Sequence, residues 1–341
     1  MRPGIQSGEM RKSSCRFTII VPMLDARSLL EASLPPLLGL GDDVELIVVD
    51  DGSEDGSADF ARAAGATVLP SGGRALGPAR ARNVGVAASR GDVIVFVDAD
   101  VVAGEGAIEG LVRHVETPGV VAAYGSYDDE PTERGLVSAY ANLRHHHFHR
   151  APLADSPSFW SGLGAVDRVA YLAVGGFDVE RFPRPSVEDI DLGRRLRVGG
   201  ERIVRDPELQ GTHLKRWTAR DLLRTDILRR AWPWARMMAA PDHAFDDLNV
   251  APAERLKAVL AGLALLAGIT TLAGLTPVWV PLGLWAVGAL ADRTLLGLFM
   301  RRGGPLLALF GFLWHQAYYL YSSVTFVLAT LSVRLSRGGG A

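Results

Sequence analysis

Along the first 210 positions, apolar residues come in short unbroken runs rather than in strict alternation with polar ones. RFTIIVP (16–22), VELIVVDDGS (44–53), ATVLP (66–70) and VIVFVD (93–98) each predict a strand. Between them lie helix-like segments: SLLEASLPPLLGL (28–40), broken at Pro35-Pro36; GSADFARAAG (56–65), closed by Gly65; and GPARARNVGVAASRG (77–91), stopped by Gly91. Strands rich in β-branched residues and lacking polar alternation are buried on both faces. Alternating with helices, they predict an α/β fold with a mostly parallel sheet covered by helices.

The pattern changes after residue 257. AVLAGLALLAGITTLAGL (258–275) carries no charge over eighteen residues, long enough for a membrane helix. VWVPLGLWAVGALA (278–291) follows Thr276-Pro277 and spans only about 21 Å as a helix, against about 30 Å of bilayer core. A basic break from Arg293 to Arg302 precedes a third apolar stretch, Pro305 to Val333, interrupted by His315 and Gln316. Two or three spans are compatible with these lengths. Arg255, Lys257, Arg301 and Arg302 suit a cytoplasmic side. The opening MRPGIQSGEMRKSSCRF lacks an apolar core and reads as a disordered lead-in, not a secretory signal. The expected organisation is a lead-in (1–15), an α/β domain (16–212), amphipathic interfacial helices (213–256), a transmembrane region (257–335) and a tail (336–341). This predicts a multi-pass protein of the inner (cytoplasmic) membrane whose α/β domain faces the cytoplasm.

Residues 213–240 suggest the membrane contact. They hold seven basic residues against two acidic ones, and Leu223, Ile227, Trp234 and Met238 recur at near-helical spacing around Pro233. Composition adds exclusions. A formal net charge of −2 over 341 residues offers no basis for nucleic-acid binding. A lone cysteine, Cys15, excludes an intramolecular disulfide and a cysteine-based zinc site.

The candidate chemistry lies where strands end. Asp50-Asp51 and Asp98/Asp100 close two apolar strands, and in parallel α/β sheets ligands sit at the carboxyl ends of strands. Paired carboxylates in a dry place repel each other unless a cation or proton offsets them. Asp-x-Asp aims two hard oxygen ligands at one Mg²⁺ or Mn²⁺, the ions that bridge diphosphates. A solvated turn is the plainer alternative, as is an Asx turn for Asp50 in Asp-Asp-Gly-Ser.

Over residues 16–217 several ordered motifs resemble the family 2 glycosyltransferases of GT-A (Rossmann-like) fold. They are TIIVP, VVDDGSEDGS, GPARARNVGVAASRGDVIVFVDADV, SGLGAVDRVAYLAVGGFD (161–178), VEDIDLGRRLRVGG (187–200) and HLKRW (213–217). The last is similar to the Gln-x-x-Arg-Trp box of membrane-bound members, with histidine in place of glutamine. The resemblance implies an inverting, metal-dependent transfer of sugar from a nucleotide-sugar donor, most commonly a UDP-sugar. The acceptor it implies is membrane-associated and lipid-linked, in envelope glycan or glycolipid synthesis.

By that resemblance Pro22, Asp50, Asp51, Arg82 and Asp98 belong to the donor side, with Asp51 on the base. Arg82 either reaches the diphosphate or holds the acid cluster together, a surface arginine being the plain alternative. Asp100, Asp98 and His213 are implied for Mn²⁺ or Mg²⁺, with His213 alternatively contacting the donor. Asp189 is implied as catalytic base, with Glu188 as rival and Asp191 as a cap or partner of Arg194 or Arg195. Trp160, Gly162, Arg216 and Trp217 fall on the acceptor or product side, though Trp217 also suits a simple anchor. RHHHFHR (144–150) suits a solvated helix, an acceptor contact or a metal site. A processive polysaccharide synthase and a membrane-tethered nucleotide-binding scaffold are the competing functions.

Overall fold

A computed structural model describes residues 15–150, 154–239 and 252–338. The expected lead-in lies outside the described residues except for Cys15, as do 240–251 of the expected interfacial segment and the last three residues of the tail.

The strands are β1 (Phe17–Met23), β2 (Val44–Asp50), β3 (Thr67–Pro70), β4 (Val93–Val97), β5 (Val101–Ala103), β6 (Val120–Tyr127), β7 (Ala154–Asp155), β8 (Leu163–Asp167) and β9 (Arg202–His213). They form one sheet in the order β3-β2-β1-β4-β8-β6-β9-β5, with β7 paired to β9. The parallel sheet expected from the apolar runs holds for β1 to β4. Beyond it β8 enters antiparallel to both β4 and β6, and β9 runs parallel to β6. Helices α1 (Arg27–Ser33), α2 (Pro35–Leu38), α3 (Ser57–Ala63), α4 (Pro78–Ala88), α5 (Ala107–Val115), α6 (Leu136–His149), α7 (Arg168–Ala173) and α8 (Glu188–Leu196) accompany this sheet.

Both faces are buried, as continuous apolar strands require. Ile19, Val21, Val48, Val95 and Val97 pack on one face with Leu30, Leu34, Leu111 and Val112. Ile20, Ile47, Val49, Ile94 and Phe96 pack on the other with Val86, Tyr171, Phe177 and Leu192. The side-chain period of two divides each strand between the two cores.

After β9 come α9 (Ala219–Arg224), a π-helical turn (Thr225–Ala231) and α10 (Trp232–Met238). The apolar face expected to meet lipid is partly taken by protein: Trp234 and Met237 are buried with Phe182 and Val187. Burying these side chains against the α/β domain removes them from water without a bilayer; Leu223 and Leu228 stay exposed.

The last helices are α11 (Pro252–Leu272), α12 (Trp279–Ala291) and α13 (Arg293–Gly338). Pro252–Leu272 and Arg293–Ser336 are long and apolar enough to cross a membrane, with only 17% and 28% of their most apolar windows buried. Helix α13 bends at Gly304 (φ 69°), just before Pro305. Its first part docks on the α/β domain, where Leu295, Leu298 and Phe299 pack with Tyr140, Leu143 and Trp217. This explains the polar interruption of the third apolar run. His315 is turned onto α6, its Nδ1 3.0 Å from the Tyr140 hydroxyl.

Candidate active site

Strands β2 and β4 flank β1 in parallel, so both acid pairs lie on one rim. Pro22 sits in β1 beyond its last pair with β4 and is buried. At the end of β2, Asp50 Oδ1 accepts Ser53 N–H at 2.8 Å, the Asx turn its sequence allowed. Asp51 is buried and gathers the 71–77 loop: its carboxylate accepts from Ser71 Oγ (2.6 Å), Leu76 N–H (3.1 Å) and Gly77 N–H (2.8 Å). Gly77 can make that bond because it adopts φ 100°, which a side chain disfavours.

At the end of β4, Asp98 accepts from Arg82 Nη2 at 2.5 Å. Arg82 is 3% exposed, so it is not a surface arginine. Its Nη1 lies 3.7 Å from Glu188 Oε1, and it ties the Asp-x-Asp turn to the start of α8. Burial raises the pKa of both Asp98 and Glu188, with Arg82 opposing the rise in each. Glu188 also accepts Ser186 N–H at 2.7 Å. Asp189 is pushed up to about 7 by burial and by the neighbouring Glu188. Asp191 pairs with Arg181 and Arg195, both at 2.8 Å, and so plays the supporting part its position suggested.

Asp100 meets His213 because β5 pairs antiparallel with the end of β9, in register Val101↔His213. His213 Nε2 is 3.4 Å from Asp100 Oδ2. The tautomer follows from the surroundings. Asn142 Oδ1 accepts the Trp217 indole N–H at 3.2 Å and lies 2.8 Å from His213 Nδ1, so Nδ1 carries the proton. Nε2 then turns its lone pair toward a carboxylate. Two acceptors this close repel unless a cation or proton lies between them. With a proton on Nε2, the His213 contact instead holds Asp100 below the ordinary carboxylate value against the effect of burial. Stacking of the imidazole on Tyr127, at 4.2 Å, fixes the ring plane. One imidazole nitrogen and one carboxylate suit Mn²⁺ or Mg²⁺. Among the described residues no three ligating side chains converge, so a metal held there would need further ligands from substrate or water.

Asp189 opens onto a cavity of about 660 Å³. Trp160 and the His145–His149 pair line it near Asp189, and Val259, Phe326 and Val327 line it among the apolar helices. Trp160 packs edge-on to Tyr127 and His149, and Gly162 gives its ring room: a Cβ there would lie 2.5 Å from the indole. Two of the expected acceptor-side residues lie elsewhere. Trp217 is buried on α6 and its indole N–H is used by Asn142, so it anchors the chain; Arg216 points outward and does not line the cavity.

The histidine tract is not a solvated face. His145 Nε2 and His149 Nε2 are 3.0 Å apart, and His146 Nδ1 bonds Tyr127 O at 2.7 Å. Burial and cationic neighbours lower the pKa of His145 and take His149 down to about 3, which leaves both neutral.

Below the histidines, Arg144 grips Asp226 with two bonds of 2.9 and 2.7 Å, and Asp226 also accepts from Tyr321 Oη at 2.7 Å. This buried pair joins α6, the π-helical turn and α13. Arg144→Leu is expected to cost about 3–5 kcal/mol by stranding Asp226. The loss should appear as a lower thermal midpoint in detergent, partly recovered by adding Asp226→Leu. Burial opposes ionisation of Asp226, but Arg144 holds its pKa below the ordinary value. The pair's contribution is therefore complete above the ordinary carboxyl pKa and fades as pH falls through the lowered one.

Comparison with known proteins fits this geometry. Residues 18–170 match the model of glycosyl transferase family 2. Over that stretch, less than half of the chain, the sequence is similar to that family. A pre-mycofactocin glycosyltransferase of Mycobacterium tuberculosis is 31% identical over 213 residues, 60% of this chain and 44% of the relative. A glucosyl-3-phosphoglycerate synthase of Mycolicibacterium paratuberculosis is 37% identical over 113 residues, 30% of this chain and 34% of the relative. The chain thus spans less than half the length of these relatives. Among solved structures, the mannosyltransferase PcManGT of Pyrobaculum calidifontis, in complex with GDP-Man and Mn²⁺, shares the fold. Its TM-score is 0.62 at 20% identity, covering 93% of this chain and 88% of that one.

The matched stretch contains Asp51, Arg82 and the Asp-x-Asp turn but stops before Glu188, Asp189 and His213. Those three are placed by geometry. The motifs gave no sign of Asn142, Tyr127 or the Arg144–Asp226 pair. Asn142 stands two residues before Arg144, in a helix whose only visible signal was its histidines.

Proposed function

We propose that the chain is an inverting glycosyltransferase that moves a sugar from a nucleotide-sugar donor to a lipid-linked acceptor at the inner membrane, its α/β domain facing the cytoplasm. One observation carries the acceptor side of this reading: the cavity that begins at Asp189 is walled at its other end by the apolar helices α11 and α13. An aqueous acceptor would have no use for such walls, whereas a lipid chain matches them. The large side chains left exposed on α11, among them Leu265, Leu266 and Leu272, support membrane residence.

On the donor side, the Asp51 rim and the Asp98/Asp100 turn receive the nucleotide and its diphosphate. Asp100 and the oriented Nε2 of His213 would hold Mn²⁺ or Mg²⁺, which supplies charge neutralisation for the departing diphosphate. Arg82 keeps Asp98 and Glu188 in place. Asp189 takes the proton of an acceptor hydroxyl. The hydroxyl oxygen bonds to the anomeric carbon from the face opposite the nucleotide, and the bond to the diphosphate breaks with its electron pair leaving on oxygen. A single displacement inverts the anomeric centre. Three apolar helices offer little room for an extrusion channel, which disfavours a processive synthase.

The test is release of nucleoside diphosphate by detergent-purified protein from UDP-, GDP- and dTDP-sugars with Mn²⁺ or Mg²⁺, with and without added membrane lipid. Release that needs both metal and lipid is expected. Nucleotide binding without release from any donor would point to a scaffold, and pyrophosphate as product would point to a nucleotidyltransferase.

A further inference from the structure

Among the unpartnered buried polar atoms that line the cavity are two that can donate, Trp234 Nε1 and Ser322 Oγ, beside His149 Nδ1. Three cationic side chains line the cavity: Arg144, Arg230 and Arg255. Arg144 is bound to Asp226, and Arg255 is engaged elsewhere. Arg230, half-buried in the π-helical turn, makes no ion pair or side-chain hydrogen bond among the described residues. Asp226 feels its charge but is already held by Arg144 and Tyr321. One turn further on, the indole N–H of Trp234 is buried without an acceptor, and across the cavity so is Ser322 Oγ on α13. An indole nitrogen can only donate, and a guanidinium only donates. Buried donors without acceptors are costly and mark a place for an absent partner.

Resting on the lipid-linked acceptor proposed above, we infer that the acceptor's lipid is joined through a phosphate ester, which Arg230 recognises with help from Trp234 Nε1–H and Ser322 Oγ–H. A phosphate ester offers several acceptor oxygens and a permanent negative charge, and its geometry fits the guanidinium fork. Its ester oxygen leads on to a hydrocarbon chain, which leaves past Val259, Phe326 and Val327 between α11 and α13. The hydroxyl end of the acceptor then faces Asp189. Placement of the guanidinium agrees: its charge reaches His145 and His149 toward that end of the cavity.

Equilibrium binding to the full chain in detergent tests this, with farnesyl phosphate, farnesol and inorganic phosphate as probes. Farnesyl phosphate should bind about 10- to 100-fold more tightly than farnesol. Arg230→Ala should erase that difference, and Arg230→Lys should restore part of it. Trp234→Phe, which keeps the ring and removes only the donor, should weaken farnesyl phosphate a few-fold and leave farnesol unchanged. Binding of UDP or GDP with Mn²⁺ should be the same in all variants, which also reports that they fold. Equal binding of farnesol and farnesyl phosphate overturns the phosphate inference but leaves a lipid acceptor standing. Failure of both lipids to bind sinks the lipid-linked acceptor itself. Inorganic phosphate binding as tightly as farnesyl phosphate means a free phosphate is read instead. Loss of nucleotide binding in Arg230→Ala assigns the arginine to the donor and overturns the proposal.

Discussion

Replacing Asp189 with asparagine is expected to lower kcat by about 10²- to 10⁴-fold, the usual contribution of a general base, while donor binding stays close to wild type. The carboxylate is placed for the role by what surrounds it. It lines the cavity, accepts the backbone N–H of Ile190 at 2.8 Å, and has no cation paired to it among the described residues. Glu188, the rival, accepts Ser186 N–H and faces Arg82, so it is spent on holding the site. Burial and the adjacent Glu188 charge bring Asp189 to about 7, close to the working pH, where a base combines availability with proton affinity. The sign follows. The base must be ionised, so kcat/KM should rise with pH and level off above about 7, and that limb should vanish in Asp189→Asn. Glu188→Gln should retain the limb. Substantial activity in Asp189→Asn would mean that the attacking atom is already anionic, a phosphate oxygen rather than a hydroxyl, and that no base is needed.

Asp100→Ala is expected to cost about a thousandfold in turnover, equivalent to about 4 kcal/mol of lost charge stabilisation. The wild-type protein should bind Mn²⁺ weakly alone and more tightly with a nucleoside diphosphate, because it offers one carboxylate and one imidazole and the ligand must complete the shell. Titration of free Mn²⁺ by electron paramagnetic resonance, with and without UDP, reads this directly. In Asp100→Ala the nucleotide-dependent tightening should disappear. His213→Ala should weaken it less, since Mn²⁺ and Mg²⁺ favour oxygen ligands. A variant lacking Asp100 that still binds Mn²⁺ and UDP as the wild type does would place the metal elsewhere.

Much of the fold was legible in the chain because its signals are local. VIVFV and VELIVV are too apolar to leave either face in water, and Gly65, with φ 99°, closes α3 just after Ala64. The same locality located the acid pairs at strand ends and the charge-free run after residue 257. Locality also explains the misreadings. HLKRW places an arginine and a tryptophan three and four residues from a candidate ligand, yet the indole turns to Asn142 and the arginine to solvent. Near-helical spacing of Leu223, Ile227, Trp234 and Met238 marked an apolar face correctly, but spacing carries no information about whether lipid or protein covers it. For Trp234 the answer is Phe182 and Val187, and Met238 packs partly buried against the same cluster.

By itself, then, the sequence determined the α/β alternation, the rim on which the carboxylates lie and the apolar helices that follow, since each depends on residues within a few positions of one another. Only the tertiary structure decided which of these groups act together. His213 reaches Asp100 through the β5–β9 register and is oriented by Asn142, 71 residues earlier. Arg144 is neutralised by Asp226, 82 residues later, and Asp226 is tied to Tyr321, 95 residues beyond that. These pairings leave Arg230 as a lining cation without a counterion among the described residues. Charge pairing and tautomer choice are properties of groups a few ångströms apart in space, and no period along the chain encodes them.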